Sequence, residues 1–191
     1  MAKNEDRPFI LGLGGTTNPH SSTEQALAIA LKAASDAGAE TELFGSARLC
    51  GLPHYLSAGL NDTGKSLVKA VRRADGIILA SPGYHGTISG LVKNAVDYIE
   101  ETASDDRVYL DGLPVGLIAT AYGWQATGST LAAMRSIVHA LRGWPTPLGV
   151  GINASGGIFQ DGVCADESVN QQLRLVAQQV MRGSHRREQH S

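Results

Sequence analysis

The sequence predicts an α/β fold in which helices cover both faces of a parallel sheet. Five short apolar runs alternate with five helical patterns, and parallel strands that follow one another are joined by helices. The runs are apolar for most of their length, which is typical of strands buried on both faces. Loops rich in Gly, Ser and Thr follow the first, third and fourth runs. A doubly wound sheet binds its ligands at that edge, beyond the carboxyl ends of its strands.

The spacing of apolar residues assigns the elements in chain order. Strands are expected at the apolar runs over residues 9–12, 39–44, 77–80, 113–121 and 148–153. Helices are expected where apolar residues recur every three or four positions, over residues 64–74, 90–100, 131–141 and 167–182. The first helix has Ser22 or Thr23 as its expected N-cap and ends near Gly38, a natural C-cap residue.

Length and composition predict a single domain. The chain of 191 residues is long enough to bury a core, and we expect one domain over residues 1–183 with a polar tail over 184–191. Glycine supplies 23 residues while 42% of the chain is hydrophobic, which indicates tight loops rather than disorder. The formal net charge of −2 gives no argument for binding nucleic acid or a membrane, and it lacks the strong acidity of a docking electron carrier.

Several features are typical of a cytoplasmic protein without a metal centre. Cys50 and Cys164 have no partner at metal or redox spacing, as expected of thiols in a reducing compartment. The first eight residues are polar, so no signal peptide is expected, and no apolar run approaches the ~20 residues of a membrane span. The histidines of the tail have no partner ligands nearby, so no metal site is predicted.

The central stretch, residues 75–100, reads as a buried strand, a glycine-rich loop and a helix. The loop over residues 81–89 holds Pro82, Gly83 and Gly86, so we expect the backbone to turn there and to end the strand. Lys93 and Asp97 stand four residues apart, which by itself predicts only a surface ion pair. Asn94 is expected to brace a neighbouring loop. An ordinary strand–turn–helix unit without a ligand remains the alternative at this point.

The loop after the first strand, residues 14–23, is a candidate anion site. Gly14 and Gly15 allow a close backbone approach, and the helix that follows presents unpaired N–H groups and the positive end of its dipole. The alternative is a capped helix after a tight turn, with His20 as the one candidate cation. Hydroxyl groups that can donate to a phosphate are present on Thr16, Thr17, Ser21, Ser22 and Thr23.

A second glycine-containing segment has the residue spacing of a nucleotide-binding motif. Residues 59–66, GLNDTGKS, fit the spacing Gly-x-x-x-x-Gly-Lys-Ser of a phosphate-binding P-loop. That motif needs a buried strand directly before it, and the preceding residues contain Pro53 and no apolar run. We therefore interpret this segment as the capped start of a helix. The connection over residues 45–62 is long, so we expect it to serve a function or an interface.

The central stretch resembles the NADPH-dependent FMN reductase family, whose fold is flavodoxin-like. The matching positions lie in SPGYHGTISGLVKNAVDYIE, residues 81–100: Ser81, Pro82, Tyr84, Gly90, Lys93, Asn94 and Asp97, with Thr87 in place of the family's serine. In the first loop Gly14 matches, whereas Gly15 replaces a serine and Thr17 replaces an arginine that would bind phosphate. Residues 122–128, YGWQATG, are similar to a third flavin loop, in which Gly123 and Gly128 are the matching glycines.

The resemblance implies a five-stranded parallel sheet in the order 2-1-3-4-5, with FMN at its edge and NADPH or NADH as hydride donor. Tyr84 is expected to pack near the flavin, and no side chain is required as a catalytic acid or base. The implied cofactor-binding residues are Gly14, Gly15, Thr16, Thr17, Ser21, Ser22, Thr23, Pro82, Gly83, Tyr84, His85, Gly86, Thr87 and Gly123.

The implied activity is NAD(P)H-dependent reduction of FMN by hydride transfer, which supplies reduced flavin to a partner monooxygenase. Reduction of a quinone or an azo dye through bound FMN, and electron carriage of the flavodoxin type without turnover, are the alternatives. The resemblance also implies a homodimer or homotetramer, for which Trp124 and Trp144 are candidate contact residues.

Overall fold

The computed structural model describes residues 7–56 and 59–188, with side chains described as far as residue 184. The strands in this part of the chain are β1 (Phe9–Gly14), β2 (Glu40–Phe44), β3 (Gly76–Tyr84), β4 (Thr87–Ile88), β5 (Pro114–Ala121), β6 (Trp144–Asn153), β7 (Phe159–Gln160) and β8 (Val163–Cys164). The helices are α1 (Ser22–Asp36), α2 (Ser46–Leu49), α3 (Asp62–Arg73), α4 (Gly90–Asp97), α5 (Trp124–Ala140) and α6 (Glu167–Glu188), and 3-10 turns occupy Tyr98–Thr102 and Ala154–Gly156.

The main sheet has the predicted topology. Its long strands are paired in parallel in the order β2-β1-β3-β5-β6, which is the expected order of five strands in the chain. The count differs because the short strand β4 pairs antiparallel with β3 and because β7 and β8 form a separate hairpin. All five parallel strands end at the same edge of the sheet, so the loops that follow them lie together.

Helices cover both faces of the sheet, and each face has its own apolar core. On one face, α1 and α6 pack through residues such as Leu27 and Val176. On the other face, α3, α4 and α5 contribute Leu67, Val92 and Met134, all fully buried. β1, β3 and β5 lie between the two cores, which is why their sequences are apolar on both sides of the strand.

The strand β3 extends four residues beyond Ala80, so the predicted loop over residues 81–89 is wrong. Pro82 is tolerated because the pairing of β1 with β3 ends at Gly14 and Ala80, and only β5 continues alongside. His85 and Gly86 then form a two-residue hairpin turn with φ of 50° and 92°. Positive φ at both positions is the type I′ geometry that suits the twist of a hairpin.

Three further boundaries differ from the prediction. The helix α5 begins at Trp124, seven residues before its predicted start at residue 131, so most of the expected third loop is its first turn. The N-cap of α1 is Ser21, whose Oγ accepts the N–H of Glu24 at 3.3 Å. The helix α6 reaches Glu188 instead of ending at residue 182, and the remainder of the expected polar tail, residues 189–191, lies outside the described residues.

The P-loop-like segment is a capped helix start, as predicted. Asn61 is the N-cap of α3, and its Oδ1 accepts the N–H of Gly64 at 2.8 Å. Within residues 7–56 and 59–188, no helix is long and apolar enough to cross a membrane. The same residues hold no group of three His, Cys, Asp or Glu side chains placed to bind a metal ion.

Candidate functional site

A pocket of about 610 Å³ opens at the carboxyl edge of the sheet, within the usual range for small-molecule sites. It lies where β1 and β3 stop pairing. From there β1 leads to α1 on one face of the sheet, and β3 leads to α4 on the other face. Four segments meet there: the loop after β1, the end of β3, the β5–α5 junction, and the turn after β6. The lining residues are Thr16, Thr17, Asn18, His20, Ser21, Ser22, Thr23, Pro82, Gly83, Tyr84, Thr120, Ala121, Tyr122, Ala126 and Ala154.

Asn18 organises the loop between β1 and α1. Its Oδ1 accepts the N–H of His20 at 2.9 Å, and its carbonyl oxygen accepts the N–H of Ser21 at 3.1 Å. Thr16 completes the turn, because its Oγ1 donates to the Asn18 carbonyl at 3.1 Å and accepts the Asn18 N–H at 3.0 Å. These bonds fix the loop in an open curve that faces the pocket. Sequence reasoning did not assign Asn18, although Asn commonly forms such side-chain turns.

The side chain of Gln25 ties this loop to the β7–β8 hairpin. Its Nε2 donates to the His20 carbonyl at 2.8 Å, and its Oε1 accepts the N–H of Gly162 at 2.9 Å. Gly162 belongs to a turn in which both Asp161 and Gly162 have positive φ, again the type I′ geometry. A segment far along the chain therefore supports the loop that lines the pocket.

The first turn of α1 supplies the donor groups that the sequence predicts. The N–H groups of Ser22 and Thr23 are in the first turn, where a helix provides no intrahelical acceptor. Thr23 is buried, and its Oγ1 lies 2.5 Å from Oγ1 of Thr120 at the end of β5. That bond fastens α1 to β5 across the pocket floor. Thr17 and Ser22 keep hydroxyls that make no hydrogen bond to the described residues.

A carboxylate lies beneath the loop. Oε2 of Glu24, in the first turn of α1, accepts the backbone N–H of Ser46 at 2.6 Å and also the Ser46 hydroxyl. An ideal Cβ on Gly15 would lie 3.0 Å from this oxygen, so the carboxylate touches the loop directly. Within the described chain, no Lys or Arg pairs with Glu24, and the pocket lining includes neither residue type. Among the described residues that line the pocket, His20 is the one whose side chain can carry a positive charge.

The end of β3 forms the opposite wall. Pro82 and Gly83 line the pocket, and Tyr84 does so with 51% of its side chain exposed. Gly83 allows α5 to approach, because a Cβ there would come within 2.5 Å of Oγ1 of Thr130. Tyr122, at the β5–α5 junction, is 84% exposed and also lines the pocket. The mouth of the pocket thus carries two tyrosine rings.

The structure brings most of the predicted cofactor-binding residues together. Those that line the pocket are Thr16, Thr17, Ser21, Ser22, Thr23, Pro82, Gly83 and Tyr84. Those that do not line it are Gly14, Gly15, His85, Gly86, Thr87 and Gly123.

Several of the predicted residues that lie outside the pocket lining have roles in the backbone or in packing. Gly14 permits close packing of two strands, because a Cβ on it would lie 2.0 Å from the carbonyl oxygen of Ala80. His85 and Gly86 form the hairpin turn, and Gly123 is the N-cap of α5. Pocket residues that sequence reasoning did not assign include Thr120 and Tyr122, which end a predicted strand and begin a predicted loop. Their position at the end of an apolar run is the sequence feature that could have assigned them to the pocket.

A second brace lies on the far side of α4. Asn94 accepts the N–H of Tyr55 at 2.9 Å and donates to the Pro53 carbonyl at 2.8 Å, so it braces the loop after β2, as predicted. The Nζ of Lys93 pairs with Oδ1 of Asp97 at 2.5 Å on the surface. Desolvation, and then a hydrogen bond to the Glu101 carboxylate, raise the pKa of Tyr55 to about 12. This phenol therefore stays protonated and acts as a structural donor.

Comparison with known proteins identifies the same regions. The model of the NADPH-dependent FMN reductase family matches residues 8–156, which include every pocket-lining residue. An FMN-dependent NADPH-azoreductase of Staphylococcus saprophyticus is 31% identical over 129 residues, covering 66% of this chain and 65% of that protein. The match therefore spans just under two thirds of that relative's length.

Solved structures confirm the fold. FerB, a flavoenzyme NAD(P)H:(acceptor) oxidoreductase from Paracoccus denitrificans, superposes with a TM-score of 0.73 at 20% identity, covering 94% of this chain and 98% of that one. A flavodoxin, WrbA-like protein from Agrobacterium tumefaciens gives a TM-score of 0.65 at 14% identity, covering 94% and 98%. At these identities the likeness establishes a flavodoxin-like fold.

Proposed function

The chain belongs to the NADPH-dependent FMN reductase family, and on that premise we propose that it is an NAD(P)H-dependent flavin oxidoreductase that binds FMN at the sheet edge. One observation carries the proposal. The loop after β1 and the end of β3, which the sequence separately assigns to the phosphate and the ring of a flavin, line the same pocket of about 610 Å³. This edge, beyond the carboxyl ends of parallel strands, is where doubly wound sheets bind their ligands.

The residues present fit a flavin. A planar, largely apolar ring needs a wall of small and apolar groups, which Pro82, Gly83 and Ala126 supply. A polar chain needs hydrogen-bond donors, which the first turn of α1 and the hydroxyls of Thr17 and Ser22 supply. Tyr84 and Tyr122 add aromatic surface at the mouth, where a planar ring can stack.

The protein contributes position rather than acid–base chemistry. When bound, FMN accepts a hydride from a nicotinamide and passes the electrons to an acceptor. Among the described residues, the lining contains no carboxylate and no lysine, which suits a reaction that needs no side-chain proton donor at the reacting ring. Pro82 and Gly83, which line the pocket at the end of β3, would hold the edge of the ring. The open side, between Tyr84 and Tyr122, is left for the nicotinamide and the acceptor.

A planar aromatic acceptor, such as a quinone or an azo compound, is the second candidate for the oxidising substrate. The two exposed tyrosines at the mouth favour it, because exposed aromatic rings stack on flat substrates. The similarity to an FMN-dependent NADPH-azoreductase also favours it. The first candidate for the fate of the electrons is release of reduced FMN to a flavin-dependent monooxygenase. We also propose that the chain assembles as a homodimer or homotetramer.

Steady-state assays test the proposal. NADPH and NADH consumption is measured with added FMN, with a quinone and with an azo dye. Oxidation of either nicotinamide that depends on flavin supports the proposed activity, whereas protein that binds FMN without turnover indicates an electron carrier. The variant Tyr122→Ala should raise KM for the aromatic acceptors more than it weakens FMN binding. Trp144→Ala removes another exposed ring, on a residue outside the pocket lining, and is the matched control.

Light scattering tests the assembly separately. A monomer mass at micromolar protein would contradict the proposed oligomer without affecting the proposed activity.

A further inference from the structure

The β7–β8 hairpin lies outside the part of the chain that matches the family model, yet it is joined to the loop that lines the pocket. The family model matches residues 8–156, whereas the hairpin occupies residues 159–164. None of the residues 159–164 is part of the pocket lining. The side chain of Gln25, in α1, forms a hydrogen bond to each of the two segments, so the hairpin acts on the loop through this side chain.

Gln25 binds two backbone groups that their own elements leave without a partner. The first backbone hydrogen bond of α1 runs from the N–H of Gln25 to the carbonyl of Ser21, so the helix does not use the preceding carbonyl, that of His20. The pairing of the hairpin ends at Gln160 and Val163, so it does not use the N–H of Gly162 in the turn. Nε2 of Gln25 donates to the first group at 2.8 Å, and Oε1 accepts from the second at 2.9 Å.

The bond from Gln25 to His20 takes the place of an apolar contact that is common at helix starts. His20 directly precedes the N-cap Ser21, and Gln25 is the fourth residue of the helix. In many helices these two positions carry apolar side chains, whose packing fixes the angle at which the chain enters the helix. Here a hydrogen bond joins the same two positions. Gln25 therefore fixes the direction in which the chain passes from the loop into α1.

This direction decides where the free donors of the pocket lie. The N–H groups of Ser22 and Thr23 belong to the first turn of α1, where no intrahelical acceptor reaches them, and an anionic group at a helix N-terminus binds to such N–H groups. The start of the loop is held separately, because the N–H of Thr16 donates to Oγ of Ser46 at 3.3 Å. Gln25 holds the other end of the loop, next to the donors.

The hairpin is a firm support because its base is part of the core. Cys164 is 5% exposed and belongs to the apolar cluster formed with α1 and α6. Its carbonyl oxygen accepts Nδ2 of Asn170, in α6, at 2.9 Å. The N–H of Ala165 donates to the carbonyl of Ile158 at 2.8 Å and closes the base of the hairpin. The turn that carries Gly162 is thereby held in place relative to α1.

We infer that Gln25 is a positioning residue of the flavin site, which couples the β7–β8 hairpin to the loop after β1 and holds the N–H groups of Ser22 and Thr23 where the phosphate of FMN binds. The inference rests on the proposed function, because it assumes that FMN occupies the pocket with its phosphate at this loop. Without the bridge, the loop becomes fully ordered only when the ligand binds, and that ordering lowers affinity. The loss concerns the phosphate end of the ligand and not its ring.

Fluorescence titrations with FMN and with riboflavin, which lacks the phosphate, test this role. Gln25→Met keeps a side chain of similar length and helix propensity and removes both hydrogen bonds. We expect FMN to bind about threefold to tenfold more weakly, and riboflavin affinity to change by less than about twofold. Gln179→Met is the matched control, because it removes a hydrogen bond of 3.0 Å from the N–H of Leu148, between two residues outside the pocket lining. It should leave both affinities unchanged.

The possible results separate the inference from the proposed function. Equal losses of FMN and riboflavin affinity in Gln25→Met would overturn the inference, because they would indicate general damage and not positioning of the phosphate. An unchanged FMN affinity would also overturn it, and would leave the proposed function intact. Failure of the parent protein to bind either flavin would overturn both.

Hydrogen exchange measured by mass spectrometry tests the coupling in the parent protein, without any variant. Coupling between two sites is reciprocal, so FMN binding should slow the exchange of residues 158–165, although these residues do not line the pocket. Riboflavin should slow that exchange less, and in Gln25→Met the effect of FMN on the hairpin should disappear. Bound FMN that leaves the exchange of the parent's hairpin unchanged would contradict the inference.

Discussion

Replacing Gly86 by alanine should destabilise the protein through the backbone alone. Gly86 has φ of 92° in the β3–β4 turn, and an ideal Cβ on it meets no atom within 4 Å. The left-handed region costs a residue with a Cβ roughly 1–2 kcal/mol, while Gly→Ala restricts the unfolded chain and returns roughly 0.4–1 kcal/mol. We expect a net loss of about 1 kcal/mol, or a fall in Tm of about 2–4 °C for a chain of this size.

Gly90→Ala is the matched control for this prediction. Gly90 is the first residue of α4, and a Cβ on it also meets no atom within 4 Å. Its φ is not in the left-handed region, so the same substitution should stabilise the protein by up to about 1 kcal/mol. Urea unfolding of both variants measures the difference. Equal stabilities would refute the reasoning, because they would show that the hairpin turn does not hold Gly86 at positive φ.

Three other predictions concern the pocket and the thiols. Ser22→Asp should weaken FMN binding roughly a hundredfold, because unit charges about 6 Å apart repel by roughly 3 kcal/mol at an effective dielectric constant near 20. Riboflavin lacks the phosphate, so its binding should change little; equal losses in the two titrations would mean general damage. Thr120→Val should lower the free energy of unfolding in urea by about 1–3 kcal/mol, because it leaves the Thr23 hydroxyl unpaired. Adding Thr23→Val should recover most of that loss, whereas losses that simply add would contradict a hydrogen bond between the two hydroxyls. A thiol reagent at pH 8 should modify the exposed Cys50 quickly and Cys164 only after unfolding, because burial shields Cys164 and raises its pKa. Rapid modification of both thiols in the folded protein would refute this prediction.

The sequence predicts the sheet well because strands buried on both faces leave a strong signal. The apolar runs at residues 77–80 and 113–121 lie in β3 and β5. The helices between the strands predicted parallel pairing, whereas the order of the five strands came from the resemblance to a flavodoxin-like family. The end of β3 was predicted wrongly because Pro82 and Gly83 are turn-forming residues in isolation. Their strand conformation depends on pairing with β5 after β1 has ended, which is a tertiary effect that local residue preferences do not contain.

The candidate site likewise contains some residues that the sequence could predict and others that it could not. Hydroxyl residues after β1 were found by their type and by their place before a helix. Tyr122 and Thr120 were not found, because a residue at the junction of a strand and a helix has no distinctive spacing. Glu24 was not found either, since its importance depends on Ser46, which lies 22 positions further along the chain. Contacts between the ends of different strands exist only after the sheet has formed.

The internal hydrogen bonds of the loop after β1 explain how a small set of donors can still bind a ligand. Asn18, Thr16 and Gln25 complete the bonds of the loop before any ligand arrives, and the bond between Thr23 and Thr120 fastens it to β5. A loop that is already ordered loses little conformational entropy on binding. The hydroxyls of Thr16 and Thr23 therefore act by holding the loop in shape. Those of Thr17 and Ser22 stay available, so a ligand meets donors that are already in position.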